Sequence, residues 1–167
     1  MTVTINSLDA ACGAEVTGLD LSGSLDGPDL EAVNRALLDH LVLCVRGQDL
    51  EPPAFSRAAN RFGQTKKQLL RQRRHDAADD VSIISNHKPD EKGGDGKPYV
   101  GAIYWHTDDS YLAEPAKITM LHARELPSRG GDTQFINCFA VLDAMPDEMR
   151  RRIEGMRAVH VYRSRRG

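Results

Sequence analysis

Residues 103–108 (IYWHTD), 117–124 (KITMLHAR) and 133–136 (TQFI) read as short strands whose side chains alternate between two faces, and they decide the fold. In extended chain successive side chains point opposite ways, so each run can bury one face and wet the other. Gly130-Gly131 makes the turn into the third run, and residues 158–163 read as one more strand. Upstream, Val3 and Ile5 alternate with polar neighbours, and residues 14–19 (AEVTGL) alternate again before a Ser-Gly-rich turn. Residues 28–41 have helical signals instead: Pro28 in the first turn, Asp29 and Glu31 on the positive end of the dipole, and a stripe of Leu30, Val33, Leu37, Leu38 and Leu41. A buried strand over 41–46 (LVLCVR), a second helix over 52–62 stopped by Gly63, a short strand over 81–85, and helices over 140–145 and 146–156 complete the pattern. The order predicts an α+β fold, mainly β, built on an antiparallel sheet, with residues 1–167 forming a single domain.

Of the 167 residues, 40% are apolar and 28% charged, enough to bury a core. The 22 basic and 24 acidic residues leave a net charge of −2, which speaks against a nucleic-acid partner. No apolar run is long enough for a membrane span, and the start lacks the features of a signal peptide. Cys12, Cys44 and Cys138 are odd in number and widely spaced, which suits reduced thiols in a cytoplasm. The basic run 66–75 (KKQLLRQRRH) reads either as a solvated face or as a wall that attracts an anion. Residues 87–98 (HKPDEKGGDGKP) read as a loop; Pro98 stands where a phosphate loop needs Ser or Thr.

The chemistry centres on Tyr104-Trp105-His106-Thr107-Asp108, which holds the only tryptophan. On a strand, His106 and Asp108 project from one face and Thr107 from the other. An imidazole nitrogen and a carboxylate oxygen on one face can take adjacent positions on a divalent metal. With a second histidine they would complete a 2-His-1-carboxylate site. By itself the tripeptide reads more readily as a surface His and Asp beside a packed Trp105.

Six blocks in order narrow this choice: 13–21 (GAEVTGLDL), 43–48 (LCVRGQ), 61–63 (RFG), 105–108 (WHTD), 125–133 (ELPSRGGDT) and 153–160 (IEGMRAVH). Together they resemble the taurine/phenoxyacetate dioxygenase family of Fe(II)- and 2-oxoglutarate-dependent oxygenases, across nearly the whole chain. The resemblance implies a double-stranded β-helix (jelly-roll) core with flanking helices. It implies that His106 and Asp108 are catalytic iron ligands and that Thr133 bonds the distal carboxylate of the cosubstrate, 2-oxoglutarate. The implied reaction hydroxylates a small organic acid or specialised metabolite while 2-oxoglutarate is decarboxylated to succinate and CO₂.

In relatives a second iron-binding histidine and an arginine that clamps 2-oxoglutarate come later than Gly167 would allow. The resemblance therefore implies an N-terminal portion of the jelly roll, incomplete at its C-terminus and inactive alone. The alternative is a shortened relative serving as a catalytically inactive binding or assembly module. His122 is the local candidate for a third ligand, although relatives carry small residues there. His160 matches a histidine ahead of the relatives' lid region, and His40, His75 and His87 read as surface or loop residues. Asn86, Ala102 and Tyr104 match positions at the pocket mouth, where they would touch substrate. Ala102 replaces a polar contact of taurine-specific relatives, which argues for a different anionic small molecule. A homo-oligomer stays open as a further partnership.

Overall fold

The computed structural model describes residues 3–25, 27–67, 71–85 and 104–162. The loop expected over 87–98, with His87, and the positions Asn86 and Ala102 lie outside the described residues. The chain divides into two compact units, Met1–Thr65 with Leu121–Arg157, and Lys66–Met120 with Ala158–Gly167.

The first unit is built on a three-stranded sheet, β1 (Thr4–Ser7), β2 (Ala14–Thr17) and β3 (Leu43–Val45), in that spatial order. β1 runs antiparallel to β2 with Ile5 opposite Val16, and β2 runs parallel to β3 with Glu15 opposite Cys44. The parallel pair departs from the purely antiparallel expectation, because α1 (Gly27–His40) carries the chain from β2 back to the start of β3. The inward residues of β2, Ala14 and Val16, are fully buried, and Val33 and Ala36 of α1 are buried as well. Leu25 and Leu50 add to this core, with Ala58 from α2 (Pro52–Asn60). Leu38, placed in the expected apolar stripe, is exposed instead. The helix ends at Leu41, whose φ of 66° is unusual for a side chain with a Cβ. The Gly13 and Val42 amides both donate to the His40 carbonyl, at 2.8 Å each, and so satisfy the last turn.

Two short helices, α3 (Cys138–Asp143) and α4 (Asp147–Ile153), close this unit where helices were expected. Asn137 caps α3 by accepting from the Phe139 and Ala140 amides, and its Nδ2 donates 2.8 Å to the Ala11 carbonyl.

The second unit contains a 3₁₀ turn at Arg71–Arg73 and a hairpin of β4 (Arg74–His75) and β5 (Ala78–Ser82). The basic run is thus partly a strand, and the strand expected at 81–85 begins earlier. The Lys67 ammonium lies 2.7 Å from the Asp79 carboxylate.

The strands expected at 103–108, 117–124, 133–136 and 158–163 are not strands among the described residues, which carry a mixture of helices and short strands. Alternation records which face a segment would bury. A strand also needs a neighbour for its backbone N–H and C=O groups. Among the described residues these segments join no strand ladder, and Leu121, Phe135, Val159 and Val161 are exposed.

Candidate metal centre

Both donors of the His-x-Asp pair lie in the second unit, where irregular chain runs into a turn. The turn is closed by the Ser110 amide donating to the Thr107 carbonyl (3.4 Å) and the Leu112 amide to the Asp109 carbonyl (2.8 Å). Asp109 sits at φ 57°, in the left-handed region that Asp tolerates better than most residues. Its carboxylate pairs with the Lys66 ammonium and accepts from the Tyr111 hydroxyl at 3.3 Å. Tyr111 packs tilted against Tyr162, with centroids 5.1 Å apart. Burial, and after it the charge of Asp109, pushes the Tyr111 hydroxyl above the usual tyrosine range. His160 reaches back to the same turn through Nδ1, 2.9 Å from Ser110 Oγ.

His106 Nδ1 lies 2.9 Å from the Tyr104 carbonyl oxygen. A carbonyl only accepts, so Nδ1 is the donor of this bond, and in the tautomer that carries its single proton there the Nε2 lone pair is available. Nε2 faces Asp108 Oδ1 at 3.4 Å. Two acceptors at that distance repel unless a proton or a cation lies between them. Donors on adjacent positions of one divalent ion, each about 2.1 Å from it, stand about 3 Å apart. The pair therefore fits a shared metal, and the Nδ1–H to carbonyl bond is the support that metal-bound imidazoles commonly have. The second Asp108 oxygen, Oδ2, accepts from the Thr119 hydroxyl at 3.0 Å.

His106 and Asp108, placed together by an argument from a strand, lie in irregular chain and a turn, with Nε2 and Oδ1 3.4 Å apart. Tyr104 contributes its carbonyl to the centre, and its side chain is exposed. His122 belongs to the first unit, where its Nε2 lies 3.2 Å from the Gln48 carbonyl and its ring stacks on Phe55 at 5.6 Å. Thr133 is an exposed residue of the first unit, after Gly130 and Gly131 at φ 72° and 80°. Among the described residues, no three His, Cys, Asp or Glu side chains gather as a metal cluster. The roles of Thr119 and Asp109 escape sequence reasoning: Thr119 follows Asp108 by eleven residues, and no local period links them. An acidic residue directly after Asp108, able to hold a left-handed turn, was the one readable signal.

A family model described as taurine catabolism dioxygenase TauD, TfdA family matches residues 4–167. Pentalenolactone F synthase of Streptomyces avermitilis is 34% identical over 157 residues, 93% of this chain and 51% of that protein. An alpha-ketoglutarate-dependent 2,4-dichlorophenoxyacetate dioxygenase of Cupriavidus pinatubonensis is 30% identical over 168 residues, 96% of this chain and 58% of that protein. Among solved structures, AAD-2 in complex with Mn(II) and N-oxalylglycine superposes with a TM-score of 0.71 at 30% identity, covering 92% of this chain and 54% of that one. The chain spans about half the length of the curated relatives it matches.

Proposed function

Because the chain belongs to the taurine catabolism dioxygenase TauD, TfdA family, we propose that it supplies two ligands, His106 and Asp108, to the iron centre of a 2-oxoglutarate-dependent dioxygenase. The observation that carries this reading is the 3.4 Å approach of Nε2 to Oδ1, with the imidazole's other nitrogen engaged by the Tyr104 carbonyl. Fe(II) bound there with 2-oxoglutarate and O₂ supplies oxidative decarboxylation to succinate and CO₂, coupled to hydroxylation of a substrate carbon.

The chain's own residues bind and orient. His106 offers a lone pair from a ring that cannot rotate without losing its carbonyl partner, and Asp108 offers charge. Thr133 is assigned to the distal carboxylate of 2-oxoglutarate. Its setting supports this: a hydroxyl exposed just past two glycines in left-handed backbone lets a ligand approach closely. The core is assigned to the jelly roll of the family, and Asn86, Ala102 and Tyr104 to the pocket mouth. The substrate is assigned to the small organic acids, in keeping with the phenoxyacetate in one relative's name.

Succinate release with and without Fe(II), measured on the longest protein that carries this chain and across a panel of small carboxylates and sulfonates, tests the reading. Iron-dependent release that D108A abolishes is expected. Release that persists in D108A overturns the ligand assignment. No release from any acid, in a protein that still binds 2-oxoglutarate, favours the inactive binding module, a reading that the two-donor cluster keeps in play.

A further inference from the structure

We infer that Thr119 is a positioning residue for Asp108: its hydroxyl holds Oδ2, so that the carboxylate presents Oδ1 alone beside His106 Nε2. This inference rests on the metal reading above and adds a residue to it. The two oxygens of a carboxylate are chemically equivalent, and the torsion that exchanges them is soft. A site relying on Asp108 alone would therefore sample one-oxygen and two-oxygen binding.

The structure removes that equivalence. Oδ1 faces the imidazole at 3.4 Å, and Oδ2 accepts from Thr119 Oγ1 at 3.0 Å. The backbone on either side is already held. Tyr104 accepts from His106 Nδ1, and the turn beyond Asp108 is closed by the Leu112 amide and by Asp109 on Lys66. The remaining freedom of Asp108 is its own side-chain rotation, which Thr119 restrains through a hydrogen bond to a charged acceptor, stronger than one between neutral groups. A carboxylate confined to one oxygen occupies one coordination position and leaves the next for a chelating cosubstrate or a water. Thr119 is exposed, so its replacement by Val removes the hydroxyl at little cost in packing.

Mn(II) titration of the purified chain tests the inference, followed through the fluorescence of Trp105, the only tryptophan and the neighbour of His106. Wild type should show saturable quenching that D108A lacks. T119V should bind about tenfold more weakly, and T119S, which keeps the hydroxyl, within about twofold of wild type. At metal saturation T119V should also relax water protons less than wild type, since a two-oxygen Asp108 displaces a water. T119V binding as tightly as wild type, T119S binding as weakly as T119V, or an undiminished relaxivity in T119V overturns the role of Thr119 and leaves the metal reading standing. A wild-type chain without Mn(II) binding, or D108A binding as well as wild type, overturns the metal reading and this inference with it.

Discussion

At the scale of single residues, the centre depends on which groups are free to donate electrons. His106 has one nitrogen engaged by a carbonyl and one facing Asp108, so its orientation is set by its own backbone two residues back. The turn that follows is held by charge and by an aromatic pair: Asp109 on Lys66, and Tyr111 on Tyr162. Tyr111 gives a pH test of that arrangement. Its folded pKa is raised, first by burial and next by Asp109, so between the unfolded value near 10 and the raised value the folded chain keeps a proton the unfolded chain has lost. Stability is then full below about pH 10 and falls as pH rises through the folded pKa. Urea midpoints measured from pH 8 to 11 should show this alkaline decline, and Y111F should show a shallower one. Equal declines in the two proteins would remove Tyr111 as its source. The spacing of His106 and Asp108 was legible because it is local. Thr119 was not, because only folding brings a residue eleven positions away onto the same carboxylate.

Among the elements, the early ones follow their sequence signals closely. Strands at the first alternating segments, the helix after the Ser-Gly turn, and α2 behind its Pro-Pro start all form where the patterns place them. What joins them is a side chain that no periodicity announces. Gln48, just past β3, accepts from the Leu21 amide at 2.8 Å and donates to the carbonyls of Leu19 (2.8 Å) and Arg46 (2.9 Å), while its own carbonyl meets His122. Gln48→Ala leaves a part-buried amide and carbonyl without partners and should destabilise the chain by about 1–3 kcal/mol. A urea midpoint unchanged from wild type would show that water replaces the side chain at no cost. The later segments differ because their alternation is a statement about faces, whereas a strand is a statement about pairs. Leu121, Phe135 and Val161 have the pattern of sheet residues and remain exposed.

At the scale of the whole molecule, burial is unevenly shared between the two units. Every buried apolar side chain among the described residues, from Ala14 and Val16 to Leu50 and Ala58, lies in the first unit. Local opening free energy follows buried apolar area and protected hydrogen bonds. Amide exchange should therefore be slowest in β2, central in its sheet, and fast in the β4–β5 hairpin of the second unit. Equal protection in the two would contradict a stability gradient between the units.

The amino-acid sequence by itself determined the family, the early helices and strands, and the two-residue spacing of His106 and Asp108, because each is written in local spacing and in blocks of fixed order. Tertiary structure decided which oxygen of Asp108 faces the imidazole and which alternating segments become strands. Those outcomes depend on groups far apart in the chain meeting in space, and hydrogen bonds between such groups leave no period to read.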